Sequence, residues 1–173
     1  MLLGNIMMSI FFITGTSGSG KTTLIQELKS LLPTQRFAIY DFDENGVPEN
    51  ADQDWRIITT SFWINKAIEN SKHQKTTIIC GVSVPSEVIQ IINNNHLPVS
   101  PFFGFIKIND DTIKKRLLER NWSPQLITDN INWAHYLEEE VKKQKDSYIV
   151  ENINITIHEL AEQFVQWIKQ NID

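Results

Sequence analysis

Five short runs of aliphatic, β-branched and aromatic residues punctuate the chain, at Ile10–Thr14, Phe37–Tyr40, Thr76–Cys80, Phe102–Ile108 and Tyr148–Val150. Phe11-Phe12-Ile13 and Thr77-Ile78-Ile79-Cys80 are apolar without alternation, which suits strands covered on both faces. Between these runs the apolar positions recur every three or four residues, predicting helices over 21–32, 54–70, 86–94, 111–120, 124–145 and 157–171. In the first of them Leu24, Leu28 and Leu31 form the stripe, Ile25 and Leu32 widen it, and Pro33 ends it. Ser123-Pro124 offers an N-cap followed by proline at the first helical position, and Thr156 with Glu159 reads as a capping box. Asn93-Asn94-Asn95 closes the third helix, and Pro98 and Pro101 are assigned to the loop beyond it. Strands alternating with helices predict a three-layer α/β/α fold around a five-stranded parallel sheet, with ligands at the carboxyl ends of the strands. No repeat, low-complexity tract or linker interrupts the pattern, so residues 1–173 are expected to form a single domain.

Composition narrows the partners. Sixteen basic and 21 acidic side chains leave a net charge of -5, which argues against a stable, non-specific grip on a nucleic-acid backbone. Cys80, the only cysteine, lies in an apolar run and reads as core filler in a reducing compartment. Residues 1–13 are apolar, but they lack a positive leader and run directly into the motif described next, so they do not read as a signal peptide. Residues 1–7 are read as an extension or an alternative start. No stretch approaches the roughly 18 apolar residues of a membrane span. A cytoplasmic protein with no membrane partner, acting as a monomer or homodimer, is expected.

The first strand runs into Gly15-Thr16-Ser17-Gly18-Ser19-Gly20-Lys21-Thr22, a complete G-x-x-x-x-G-K-T run. Glycines let the backbone curl until successive N–H groups ring a phosphate, and the helix that follows adds its positive N-terminal end. Lys21 is placed to reach the β- and γ-phosphates and the Thr22 hydroxyl to coordinate Mg²⁺. A strand before the loop and an amphipathic helix after it are the context this motif requires.

Three further features choose among proteins that use such a loop. Tyr40-Asp41-Phe42-Asp43-Glu44 puts two carboxylates at i and i+2 beyond the second strand. One can hold a magnesium-bound water and the other accept a proton from an attacking hydroxyl; the bland alternative is an acidic turn. Arg116 and Arg120 share one face of a helix after the fourth strand, where a lid could bring them over a transferring phosphoryl. Their bland alternative is a solvated face paired with Asp111 and Glu119. Finally, Asn65-Lys66-Ala67-Ile68 lacks the aspartate of a guanine-reading N-K-x-D run, and Cys80-Gly81 puts no acid at the end of the third strand. A GTPase and a helicase- or motor-type ATPase are both disfavoured, and the donor base leans to adenine.

With these residues the chain resembles the small-molecule kinase branch of P-loop NTPases, the group of shikimate, gluconate and adenylate kinases, over almost its whole length. Gly15–Thr22 matches the nucleotide loop, Asp41-Phe42-Asp43 looks like the D-x-D of shikimate kinases, and Arg116 and Arg120 are similar to paired lid arginines. Tyr148-Ile149-Val150-Glu151-Asn152 resembles the last strand and adenine-side loop. The resemblance implies ATP and Mg²⁺ as cofactors. It places the nucleotide on Gly15, Thr16, Ser17, Gly18, Ser19, Gly20, Lys21, Thr22, Thr23 and Asn152, and the metal on Thr22 and Asp41. Lys21, Asp43, Arg116 and Arg120 become the catalytic set, with Asp43 also engaging the acceptor. Only Asn121-Trp122-Ser123 separates Arg120 from the next helix, so the lid, about residues 114–130, is short. The absence of arginine from that next helix speaks against a nucleoside monophosphate acceptor, and Gly81-Val82-Ser83 in place of a glycine triplet speaks against shikimate.

Residues 44–70 are expected to bind the acceptor. Arg56 is the arginine placed to meet an acceptor's phosphate or carboxylate, while Trp55, Ile58 and Phe62 at i, i+3 and i+7 read as a core-facing stripe. The run Glu138-Glu139-Glu140 with Lys142, Lys143 and Lys145 reads as a salt-bridged solvated face, and His135 and Trp133 receive no role. The expectation is an ATP-dependent phosphotransferase acting on a small-molecule acceptor. Its rivals are a nucleotide-binding regulatory module or weak ATPase without an acceptor and, against the net charge, a kinase acting on a polynucleotide end.

Overall fold

The computed structural model describes residues 8–172. The chain runs β1 (Met8–Thr14), α1 (Lys21–Leu31), β2 (Phe37–Asp41), α2 (Gln53–Ser71), β3 (Thr76–Gly81), α3 (Pro85–Asn94), β4 (Val99–Lys107), α4 (Asp110–Glu119), α5 (Pro124–Lys142), β5 (Tyr148–Glu151) and α6 (Ile157–Gln170). All five strands are parallel, in the order β2-β3-β1-β4-β5. The central strand β1 therefore delivers the glycine-rich loop to the middle of the sheet's carboxyl edge.

Period-two alternation splits the core. Phe11 and Ile13 of β1 and Ile78 and Cys80 of β3 face Leu24, Leu28, Leu160 and Phe164 of α1 and α6. Ile10 and Phe12, with Ile79, Phe103 and Phe105, face Trp63 and Ile64 of α2, Val88 of α3, and Leu137 and Val141 of α5. Gly104 is needed in β4 because a β-carbon there would stand 2.8 Å from the Phe164 ring. A smaller cluster of Ile113, Leu117, Ile127 and Ala134, closed by Ile108, ties α4 to α5. Both forecast caps form: Ser123 Oγ accepts from Leu126 N at 3.3 Å, and Thr156 and Glu159 cap each other's backbone. The proposed extension at residues 1–7 lies outside the described residues.

Three expectations are corrected. Pro101 lies inside β4, opposite Ile10, and not in a loop. Pairing with β5 begins only at Gly104, so one edge of β4 is open at Pro101 and a missing N–H there is tolerated. The stripe of Trp55, Ile58 and Phe62 is not the core face of α2, since Ile58 is 69% and Phe62 47% exposed. The helix is turned to bury Thr60, Trp63, Ile64 and Ala67, because the Trp63 indole donates to Phe42 O at 3.0 Å and packs 4.9 Å from Tyr40. The charged run on α5 is only partly solvated: Glu140 is buried, accepts from Ser86 N at 3.3 Å and pairs with Lys143.

Candidate functional site

The loop after β1 takes its shape from positive φ at Gly18 (84°) and Gly20 (103°), a region in which side chains are strained. At Gly15 a β-carbon would stand 2.6 Å from Ser19 Oγ. Four consecutive loop carbonyls are each held by a side chain. Lys21 Nζ donates to Thr16 O at 2.7 Å, Asn130 Nδ2 to Ser17 O at 3.2 Å, Arg116 Nη1 to Gly18 O at 2.6 Å and Asn152 Nδ2 to Ser19 O at 3.1 Å. Ser19 N–H also donates to Thr16 O at 3.1 Å, and the carbonyls so engaged hold the loop in one curled shape, as anion binding requires. Apart from Lys21 of α1, the clamps come from three elements, so α4, α5 and the turn after β5 all register on one loop. Arg116 thus serves the loop and makes no pair with Asp111 or Glu119.

Lys21 is part-buried, and burial pulls its ammonium from the usual 10.5 down to about 8 against the opposing attraction of Asp43 and Asp41. The lysine is thus a cation held at a cost, ready for a counter-charge. The two aspartates come from the end of β2. Between them Phe42 is fully buried, donates its N–H to Cys80 O at 2.8 Å, accepts from Trp63 and packs edge-on against Trp55 at 5.9 Å. A β-carbon at Gly81 would overlap the Phe42 side chain. Anchored this way, the turn presents Asp41, which accepts Asp43 N at 3.0 Å, and Asp43, whose carboxyl is raised by partial burial and by the neighbouring Asp41 charge. Cys80 beneath them is fully buried, its thiol pushed up to about 12, which makes it core filler.

The site's fit to a nucleotide and a divalent ion can be judged from these atoms. Ser19 Oγ is buried without a partner at the loop's centre, an orphan that a phosphate oxygen would satisfy. Beside the loop lies a cleft of about 340 Å³ lined by Gly18, Gly20, Thr23, Arg116, Arg120, Asn152, Ile155 and Ile157, with two guanidiniums and two isoleucines suited to a flat base. Among the described residues no group of three or more His, Cys, Asp or Glu is arranged to hold a metal. The Thr22 hydroxyl and Asp41 suit an ion whose remaining ligands are phosphate oxygens and water, which is how Mg²⁺ is usually held.

On the far side of the aspartates Arg56 is already engaged. Its Nε and Nη2 reach Glu87 Oε2 and Oε1 at 2.7 and 2.6 Å, Gln53 shares Oε1 at 3.0 Å, and the guanidinium lies 5.2 Å from the Trp133 ring centroid. Trp133 stacks on Tyr136 at 5.1 Å, and His135 meets Asp110 at 2.9 Å on the helix's other side. The structure therefore brings together Lys21, Asp41, Asp43, Arg116, Arg120, Thr22, Thr23 and Asn152 around the loop, with Arg56 bound to a carboxylate beside them. Sequence reasoning gave no positioning role to Gly81, Asn130 or Glu87. Gly81 could have been suspected as a glycine ending a β-run. Asn130 and Glu87 carry no local signal, because an acid in a first helical turn reads as a dipole partner and an asparagine in mid-helix as surface.

Comparison with known proteins agrees with this geometry. Among curated proteins no sequence match is found. Solved structures match over nearly the whole chain. A sugar kinase from a Janibacter species has a TM-score of 0.64 at 15% identity, covering 94% of this chain and 95% of its own. Thymidylate kinase from Candida albicans gives 0.61 at 17%, covering 95% and 92%, and shikimate kinase from Acinetobacter baumannii, in complex with shikimate, gives 0.56 at 16%, covering 95% and 94%. At these identities the likeness is one of fold, that of the P-loop small-molecule kinases. The family described as an AAA domain matches residues 11–154, from the first strand to the turn after the last, and the chain belongs to that family.

Proposed function

We propose that the protein is an ATP-dependent phosphotransferase that moves the γ-phosphoryl of Mg-ATP to a hydroxyl or phosphate of a small metabolite. The observation that carries this reading is the convergence of Lys21 with Asp41 and Asp43 under one phosphate loop. A nucleotide-binding module needs the lysine; it has no use for a second carboxylate mounted on a buried phenylalanine.

Each residue then has a task. The loop N–H groups hold the β-phosphate, and Lys21 exchanges the Thr16 carbonyl for phosphate oxygens. Arg116 and Arg120 line the base cleft, and closure of the short lid over bound ATP would bring them toward the phosphoryl as charge builds on it. Thr22 and Asp41 would hold Mg²⁺, which when bound neutralises phosphate charge and helps align the transferring group. Asp43 orients the acceptor hydroxyl and takes its proton as the bond to phosphorus forms; its raised affinity for a proton suits that role. Positioning and charge stabilisation supply most of the rate in such a transfer. The demand for ATP and the single buried thiol support a cytoplasmic location.

Asp43→Asn tests the assignment. ATP should bind within about threefold of the parent, while transfer falls by roughly 10² to 10⁴. Unchanged turnover would remove Asp43 from the chemistry.

A further inference from the structure

We infer that the acceptor is a small hydroxylated amine carrying neither phosphate nor carboxylate, because the acceptor side has its arginine locked to Glu87, an acidic rim without a basic residue, and aromatic faces beside it. This inference rests on the kinase reading above and narrows its acceptor.

The chain has four arginines. Arg36 precedes β2, at the opposite edge of the sheet from the loop. Arg116 is bound to Gly18 O and Arg120 lines the base cleft. Arg56 alone stands on the acceptor side. Its Nε and Nη2 form a closed fork with Glu87, which is 6% exposed and takes a further bond from Gln53. With its charge balanced by the buried Glu87 carboxylate and one face against Trp133, the Arg56 guanidinium offers an incoming anion little net positive charge, although its Nη1 N–H groups are not used in the fork. Lys21 is committed to the nucleotide, and Lys143 on α5 is taken by Glu140 at 2.9 Å.

The rim has the opposite bias. From Asp41 to Asp54 the chain places Asp41, Asp43, Glu44, Glu49, Asp52 and Asp54 and no lysine or arginine, and from Asp43 to Asp54 every residue is exposed. A phosphomonoester or carboxylate approaching Asp43 meets like charge with no cation to receive it, whereas an ammonium gains from each acid. Trp133 and Tyr136, stacked, with Tyr136 44% exposed, add aromatic faces that favour a cation over an anion. A buried hydroxyl without a partner also lies at the sheet's carboxyl end, the end that carries the loop and the aspartates. Ser83, in the turn after β3, is 1% exposed, its N–H is held by Thr14 Oγ1 at 3.3 Å, and its own hydroxyl has no partner. Such a buried, unused hydroxyl suits a neutral OH-bearing acceptor rather than a dianion, which would need several charged donors.

A ring series that varies only in charge tests this. A hexosamine, the neutral hexose, the hexuronic acid and the hexose phosphate, with an aminonucleoside, its parent nucleoside and the nucleoside monophosphate, are compared as acceptors of radiolabelled γ-phosphate, ATP binding being measured in parallel. The amine of at least one series is expected to exceed its anionic counterparts in kcat/KM by roughly tenfold or more. An anion used as well as or better than the matching amine overturns the inference and leaves the kinase reading standing. ATP bound normally with no transfer to any member fells the kinase reading and this inference with it. Glu87→Gln supplies a second arm: with Arg56 released, the preference for amine over anion should shrink severalfold, and an unchanged preference would contradict the role given to the locked pair.

Discussion

Lys21→Met should make the nucleotide-free protein more stable at neutral pH while abolishing nucleotide binding. The ammonium's drop from 10.5 to about 8 corresponds, at about 1.36 kcal/mol per unit, to about 3 kcal/mol of destabilisation wherever the lysine is charged in both folded and unfolded chains. The attraction of Asp41 and Asp43 is already contained in that net figure. Methionine keeps the volume, and Thr16 O retains the Ser19 N–H at 3.1 Å after the lysine's bond is gone, so the loss from that bond is at most about 1 kcal/mol. The net gain at pH 7 is then about 2 kcal/mol, or roughly 4–8 °C in midpoint for a domain of this size. The sign of the pH dependence follows from which state holds the proton. Below pH 8 both states are charged and the penalty is full; between 8 and 10.5 the unfolded chain keeps a proton the folded one has shed, so raising the pH favours the folded parent. Its disadvantage against the variant should narrow by about 1.3 kcal/mol from pH 7 to pH 9. Urea unfolding of both proteins at pH 7, 8 and 9 without nucleotide measures this. A variant less stable than its parent at pH 7, or a gap indifferent to pH, would refute the account of Lys21 as a cation held against desolvation.

Three other perturbations have defined outcomes. Gly81→Ala forces a methyl into Phe42 and should cost about 1–3 kcal/mol in unfolding and at least tenfold in kcat by displacing the aspartate turn, with nucleotide affinity little changed; fluorescence unfolding and nucleotide titration separate the two effects. Asp43's carboxyl, raised from its ordinary value by burial and by Asp41, moves the acid limb of kcat/KM upward, since the base must be ionised to act, and Asp41→Asn should move that limb to lower pH by removing the neighbouring charge. A pH profile of the two enzymes reads the midpoint whatever the variant's absolute rate. Asn130→Ala frees the Ser17 carbonyl and should weaken ATP binding by about 2–10-fold, with less than about 1 kcal/mol lost in unfolding, as calorimetry would register.

The parts of the molecule written in local pattern were legible in the sequence. The strands are unbroken apolar runs because both faces of the sheet are covered, and the loop is a contiguous motif whose glycines answer to backbone angles. What escaped depends on contacts between distant residues. The rotation of α2 is set by the Trp63 indole reaching Phe42 O, 21 residues away, so the stripe through Ile58 and Phe62 misled. Asn130 stands 113 positions from the carbonyl it holds, and nothing in its own helix announces it. Arg56 was expected to meet an acceptor's anion, but its partner Glu87, 31 residues on, decides whether that charge is available.

The central claim is phosphoryl transfer by Lys21, Asp41 and Asp43 acting together, and it is tested most directly by following the γ-phosphate of labelled Mg-ATP through a panel of hydroxylated acceptors with the parent, Lys21→Ala and Asp43→Asn. The account predicts label in one acceptor class with the parent, none with Lys21→Ala because the nucleotide is not held, and bound but untransferred label with Asp43→Asn. Label released only as inorganic phosphate, at a slow rate that no acceptor raises and that Asp43→Asn leaves unchanged, would contradict it.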